Sequence, residues 1–384
     1  MSYFYIPKNY TNISSNLKCV ESNRGYVCDS QTLYIHESRI NNIINNNKST
    51  WDIYKEEYFH YKNVFNVTHE PVKSCVTKFG AIHRSFYIIW ELNNIFNFID
   101  TYKTRRSIDT FHFSKCQTGI IQFLNSRRNG TTDTHMGIYS DEWRKNSDYL
   151  INHKNICFNE YISYNFMNHD TLNYLAGNYG RRFNLITFLS NDEVGELRTG
   201  IPFLREKDII ITKIIYSIIL QKKGGTLIFS VPDIFDETYY EIMYILSSCY
   251  EKVIITKPVL IENITNKKMV ICSEYIDNYD QSTLINFAHT VVEGTRNRGE
   301  GDTLIRLLDC KIPSYFLNKL FEIDAIMFQQ TIDATLSVIN LKNNDDINGH
   351  LDKLKRKSIQ KSMFWCIHNH FDYDHCVTDS IIGR

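Results

Sequence analysis

Proline and glycine are scarce in this chain, 6 and 16 among 384 residues, while Asn, Ile, Tyr, Phe and Lys are abundant. That bias reflects the base composition of the coding genome rather than a mechanism. Net charge is lacking as well, because 43 Lys and Arg balance 43 Asp and Glu. With no basic excess, nucleic-acid binding has to come from a local patch. No apolar run reaches about eighteen residues, which excludes a transmembrane helix and any direct engagement of a membrane. The N-terminus, MSYFYIPKNYTNISSN, has neither a basic start nor an apolar stretch, so a secretory signal is not expected. The ten cysteines form no CxxC pair. Reduced, mostly buried thiols in a cytoplasmic protein are the economical reading, although Cys19/Cys28 and Cys366/Cys376 are close enough in sequence to bridge.

What is present is core-forming material. Hydrophobic residues make up 43% and aromatics 14%, which excludes wholesale disorder, and the length allows two or three compact units. Residues 1–50 read as a polar, Asn-rich arm, and the periodicity of WDIYKEEYFHYKNVF, residues 51–65, predicts a helix. A second helix is expected over residues 83–102. Short strands follow at 111–114 and 135–140, with a helix from Gly119 between them, and an apolar strand at 183–190. The clearest block is a helix at 205–223 stopped by Gly224 and Gly225, a strand at 226–231, a helix at 237–250, and strands at 252–258 and 267–275.

Strands that are apolar on both faces, alternating with helices, predict a parallel sheet covered on both sides. The last two strands are joined by only eight residues, too few for a crossover helix, so they must pair antiparallel. A parallel open sheet ending in one reversed strand is the layout of the S-adenosylmethionine-dependent methyltransferases. Beyond residue 276 the pattern is helical. Pro313 opens one amphipathic helix, and after KNNDDING a second carries Lys353, Lys355, Arg356, Lys357 and Lys361. The expected division is an N-terminal arm and helix (1–74), a sheet domain (75–276) and a helical extension (277–384).

The stretch GGTLIFSVPDIFDETYYEIMYILSSCYEKVIITKPVLIENITNKKMVIC resembles the C-terminal half of FtsJ-like ribose 2′-O-methyltransferases, most of all their viral, cap-specific branch. IHRSFYIIWEL resembles the family's early helix, and TFHFSKCQTGIIQFL its cofactor-binding strand and turn. The resemblance covers roughly residues 75–276, and the tail resembles the helical extension of viral members. It implies an α/β, Rossmann-like methyltransferase fold with an added helical region.

The family's chemistry uses a Lys-Asp-Lys-Glu tetrad to orient the ribose and deprotonate its 2′-hydroxyl. By register these positions fall on Ile88, Leu189, Ser230 and Lys267, and none carries the family's residue. Shifting the second by two or three residues reaches Asn191 or Asp192, but the flanking Gly224-Gly225 and Lys257-Pro258 fix Ser230. S-adenosylmethionine is the cofactor the resemblance implies, with Ser114, Thr118, Gly119 and Asp141 as its contacts. Lys115, however, stands where an acidic residue commonly meets the cofactor's ammonium, and one glycine of the family's pair is missing.

The expectation is therefore a catalytically silent family member. It would bind RNA or stimulate a partner in an mRNA capping or transcription machinery, in the host cytoplasm or virion if the source is viral. The poxvirus-type capping enzyme has a small subunit of this fold, without the tetrad, that stimulates its methyltransferase partner. An active enzyme using displaced groups such as Asp192, Asp233 or Lys268 is the alternative, and a structural scaffold is the third reading.

Arg105/Arg106 and Arg181/Arg182 are candidate RNA contacts, beside further basic pairs at Arg127/Arg128 and Lys222/Lys223. GTRNRGEG follows a helix rather than a strand, which argues against a phosphate loop. WCIHNHFDYDHC gathers Cys366, His368, His370, His375 and Cys376, but in no standard zinc spacing, so no metal site is assigned.

Overall fold

Apolar side chains on both faces of consecutive strands leave a sheet no stable alternative to being covered on both faces, and the chain does this with ten helices among the described residues. A computed structural model describes residues 2–22, 31–55, 58–68, 75–113, 117–138, 155–159, 168–189, 203–231, 237–265, 267–296, 304–343 and 347–374. The strands are β1 (Ser2–Tyr5), β2 (Leu17–Ser22), β3 (Asp109–His112), β4 (Thr134–Ile138), β5 (Ile156–Asn159), β6 (Phe183–Phe188), β7 (Gln221–Val231), β8 (Tyr250–Lys257), β9 (Lys268–Tyr275) and β10 (Leu304–Leu308). The helices are α1 (Gln31–Asn46), α2 (Lys48–Tyr54), α3 (Ser85–Phe96), α4 (Gln117–Arg127), α5 (His169–Tyr179), α6 (Phe203–Leu220), α7 (Glu237–Cys249), α8 (Gln281–Arg296), α9 (Ser314–Ile339) and α10 (Ile347–His368).

Eight strands form one sheet in the order β5-β4-β3-β6-β7-β9-β8-β1. Strands β3 to β8 run parallel except β9, which is antiparallel to both β7 and β8. The chain reverses its direction of travel across the sheet between β3 and β6, and the reversed strand is inserted before the last parallel one. This is the strand order of the Rossmann-like methyltransferase fold, and the reversed strand lies where the short connection, residues 258–267, required it.

The two faces carry separate cores. Phe111, Ile186, Leu227, Phe229, Val253 and Val270 face α5 to α8 and the start of α9, whereas Leu185, Ile228, Ile254, Met269 and Ile271 face α3, α4 and α10. The C-terminal extension thus completes the second layer. Phe371 packs its ring against Phe86, Tyr87, Trp90 and Trp365, and the Trp90 indole and Asn94 amide donate to the Asn369 carbonyl. Glu91 joins three elements at once: its buried carboxylate accepts from the Val259 and Leu260 amides at 2.8 and 3.3 Å and from the Trp365 indole at 3.1 Å.

Several local expectations are corrected. The polar arm contributes β1, which pairs antiparallel with β8, so the sheet crosses the boundary drawn at residue 75. Its β2 pairs with β10 in a two-stranded sheet, fastened by Glu241, which accepts from the Leu307 amide at 2.5 Å and faces Arg306. Residues 51–65 do not form one helix. α2 ends at Tyr54, and a short 3-10 turn follows at Lys62–Val64. Nor do Gly224 and Gly225 stop a helix: α6 ends at Leu220, and the glycines shape the start of β7. Gly224 has φ +73, and a side chain on Gly225 would meet the Asn184 carbonyl at 2.9 Å.

α9 is pinned to the sheet by a buried ion pair, Lys268 with Asp324. Burial pushes the Asp324 carboxyl above its usual range, and the Lys268 ammonium opposes that shift. Removing one partner strands a buried charge, so Asp324→Leu is expected to cost about 3–5 kcal/mol. Adding Lys268→Met should recover most of that loss, because an apolar pair needs no compensation. Urea unfolding of the two variants checks both outcomes.

Candidate site at the mouth of the sheet

In an open α/β sheet, ligands bind beyond the carboxyl ends of the strands at the point where strand order reverses. Here that point lies between β3 and β6. The segments leaving β3, β4, β6 and β7 include residues 114–116, 139–154, 190–202 and 232–236, which lie outside the described residues. Ser114, Lys115, Asp141, Asn191, Asp192 and Asp233 therefore fall there, and so do His375 and Cys376. The described part of the mouth is its floor.

That floor is apolar where the resemblance would place charge. Ile88 of α3 and Leu189, just beyond β6, are 6% and 5% exposed and belong to one hydrophobic cluster. Ser230 is fully buried in β7 opposite Met269. Lys267 is half-buried just before β9. Lys268, the nearby candidate for a displaced base, is committed to Asp324, with its ammonium 5.8 Å from the Tyr239 ring centroid.

The residues set by resemblance against S-adenosylmethionine can be tested where they are described. Thr118 is 2% exposed. A Cβ on Gly119 would meet the Ser85 hydroxyl at 2.5 Å and the His83 carbonyl at 2.9 Å. The missing side chain of Gly119 is thus used to bring α4 against the start of α3, not to admit a ligand. The Gln117 side chain is equally buried and closes over Gly137, where a Cβ would meet its Oε1 at 2.5 Å. Gln117, Thr118 and Gly119 are thus engaged in packing, while Ser114 and Asp141 lie outside the described residues.

Beneath the turn lies a buried polar chain that the sequence reading missed. Thr187 Oγ1 lies 2.8 Å from His112 Nδ1, His112 Nε2 2.9 Å from Thr110 Oγ1, and Thr110 Oγ1 2.8 Å from His135 Nδ1. His135 Nε2 reaches the Asn125 carbonyl oxygen at 3.1 Å. Asn125 can only accept there, so His135 must donate from Nε2 and accept at Nδ1. Directions then follow along the chain: Thr110 donates to His135, His112 Nε2 donates to Thr110, and Thr187 donates to His112. In this arrangement each imidazole uses one ring nitrogen to donate and the other to accept, the pattern of a neutral ring. Consistent with that, burial and then His135 push His112 well below the usual imidazole range. The signal was legible as Thr110, His112 and His135 at alternating strand positions, but such spacing does not distinguish a core network from a site.

The arginine candidates gather at the other end of the molecule. Arg105 and Arg106 precede β3, Arg181 and Arg182 precede β6, and Lys222 and Lys223 lie in the first residues of β7. These three strands are parallel neighbours, so the cations converge on the base of the sheet, away from the mouth. Arg105, Arg106, Arg182, Lys222 and Lys223 are exposed, and the Arg105 guanidinium sits 5.4 Å from the Tyr102 ring centroid. Arg181 is engaged by Asp277 at 3.0 Å and the Tyr279 carbonyl at 2.9 Å, while Arg182 faces Asp109 at 3.4 Å. Arg128 is buried against Asp133 and holds the Tyr102 and Arg105 carbonyls in place.

In the described part of the cysteine and histidine tail, His368 and His370 are exposed. Cys366 is buried, and burial pushes its thiol up to about 12, which keeps it protonated and disfavours metal ligation. No group of metal-ligating side chains occurs among the described residues, and none of the described helices is long and apolar enough to cross a membrane.

No protein-family model matches the chain, and no curated protein matches its sequence. Solved structures similar to it include a putative ribosomal RNA methyltransferase from Plasmodium falciparum, 15% identical, covering 50% of this chain and 97% of that one with a TM-score of 0.34. Human methyltransferase-like protein 13, solved with SAH, is 11% identical and covers 56% and 93% at a TM-score of 0.32. A probable spermidine synthase from Corynebacterium glutamicum is 10% identical and covers 61% and 76% at 0.35.

The neutral His112 carries a pH dependence with a definite sign. Its folded pKa is depressed, so below about pH 6.5 the unfolded chain takes up a proton that the folded chain refuses. Stability should fall between about pH 7 and pH 5, and His112→Gln should flatten that decline. Urea midpoints measured across this range test it.

Proposed function

We propose that this chain is a catalytically silent methyltransferase-fold protein of the FtsJ-like, cap-specific type. In this reading it serves as an RNA-binding or stimulatory subunit of an mRNA capping machinery. The observation carrying the proposal is the burial of Ile88, Leu189 and Ser230 in the floor of the mouth. A positioned acid or base contributes about 10²–10⁴ in rate, and an apolar floor can hold neither. Gly119 and Gln117 support the same reading, since both are consumed in packing where a cofactor would need access.

Placement of the basic residues supports binding without catalysis. An RNA lying on Arg105, Arg106, Lys222 and Lys223 is held at the base of the sheet, so those contacts do not feed a ribose into the mouth. The base is also uneven in charge. Its β3-β6-β7 side is basic, while Glu251, Glu274 and Asp277 lie at the ends of β8 and β9 or just beyond. A polyanion would therefore be oriented toward one half. The partner would be a capping or transcription enzyme, and the setting the cytoplasm or, for a viral source, the virion.

The deciding experiment is transfer of labelled methyl groups to cap-0 RNA by the chain alone and with the capping or transcription enzyme that co-purifies with it. The expected result is no transfer alone, no S-adenosylmethionine binding by calorimetry, and a raised rate for the partner. Transfer by the isolated chain overturns the proposal, and an unchanged partner rate removes the stimulatory role. A second expectation concerns the base: replacing Arg105 and Arg106 by Glu should weaken RNA binding and lower its salt slope by roughly one for each lost phosphate contact. Titrations at several salt concentrations measure that slope.

A further inference from the structure

An open cleft of about 350 Å³ lies toward the β8 edge of the sheet, apart from the point where strand order reverses, between the chain after α2, the β8–β9 connection, α9 and α10. Its volume is in the range of small-ligand sites. Lys55 and Lys361 stand on its cationic side beside His60, and Tyr58 and Phe59 line it next to them. Glu262 and Asp333 lie on the lining contributed by the connection and α9, with Asn263, Gln330 and Ser337 as further hydrogen-bonding groups.

The cationic side is short of anions. No carboxylate lies within ion-pair distance of Lys361 among the described residues; its neighbours are the Tyr61 ring, 5.9 Å away, and Lys357 one helical turn before it. Burial and then Lys357 push its ammonium below the usual lysine range. Burial, then Lys361 and Lys357, push His60 down to about 4. His60 Nδ1 is also buried with no hydrogen-bond partner. Lys361 thus stands beside His60 with no described carboxylate within ion-pair distance, whereas Lys55 is held by Asp52 at 3.3 Å through a solvent-facing pair outside the lining. A phosphate would relieve that field, and aromatic and amide groups beside it suit a planar, hydrogen-bonding base.

We propose that this cleft binds a nucleoside phosphate, with the phosphate against Lys361 and Lys55 and the base on the Tyr58 side, facing Glu262 and Asp333. The ligand is either a free nucleotide or the 5′-phosphorylated terminal unit of an RNA, which share this chemistry. The inference does not rest on the capping proposal, because it uses neither the buried floor residues Ile88, Leu189 and Ser230 nor the basic base of the sheet.

The test is calorimetric titration of the full chain with guanosine and adenosine monophosphates, their nucleosides, and inorganic phosphate. A monophosphate is expected to bind at least about tenfold more tightly than its nucleoside or than phosphate alone. Lys361→Glu should weaken it by about tenfold or more while leaving the urea midpoint and basal-patch RNA binding unchanged. Ser337→Trp, which fills the cleft from α9, provides an independent block that retains every cation. Competition by a 5′-phosphorylated but not a 5′-hydroxyl oligoribonucleotide assigns the site to RNA ends. Absence of competition with the monophosphate still bound assigns it to free nucleotide. No binding at millimolar monophosphate, equal binding of inorganic phosphate, or binding indifferent to both substitutions overturns the proposal, whatever the outcome of the methyl-transfer assay.

Discussion

The central constraint on this structure is that β6, β7 and β9 are apolar on both faces and hydrogen-bonded on both edges. The central residues of such strands are shut off from water, so the surrounding elements are recruited to cover them. One layer comes from α5 to α8 with the start of α9. The other would be too small with α3 and α4 alone, and α10 completes it. This explains why the chain's last helix and its aromatic tail return to α3. Phe371 and Trp365 fill the space between the early helix and the sheet, and Glu91 supplies the polar fastening that the turning backbone after β8 requires. The C-terminal region is part of the core of the sheet domain.

The same constraint shapes the mouth. A catalytic floor must keep charged groups poised in a partly dry environment, and each such group costs stability unless it is paired. Here the floor obeys only the packing requirement. Ile88 and Leu189 contribute apolar surface, Ser230 a small buried hydroxyl, and the polar groups that remain under the turn are closed into the Thr187–His112–Thr110–His135–Asn125 chain. That chain satisfies itself and presents nothing to a substrate. Lys268 is likewise held by a carboxylate from α9.

Much of the sheet was legible because its signals are local. Doubly apolar runs mark β6 to β9, and the connection before β9 is too short for any pairing but antiparallel. The two C-terminal helices were legible from period and from Pro313. β1, β2 and β10 were not, because a short edge or outer strand carries little hydrophobic pattern and is fixed by its partner far along the chain. Glycines misled for a related reason. Gly224 looked like a helix stop and Gly119 like a cofactor turn, yet one serves the start of a strand and the other the contact of two helices. The arginine pairs were visible as charge, but only strand direction reveals which end of the sheet they share.

That direction places the exposed cations and the described floor of the mouth at opposite ends of the strands. In an active enzyme the groups that hold the nucleic acid and the groups that move the proton converge at the carboxyl ends of the strands. In this chain the exposed cations leave from the amino ends of β3, β6 and β7, and Tyr102 braces them there by donating to the Asn184 carbonyl at 2.7 Å. Arg128, buried beneath, fixes the same loop through two backbone carbonyls. Organised support of this sort is more than a solvated surface requires, since a free lysine or arginine needs no scaffold to remain soluble. The loop at the base of the sheet is therefore fixed by backbone hydrogen bonds, while the described floor of the mouth is filled by apolar side chains.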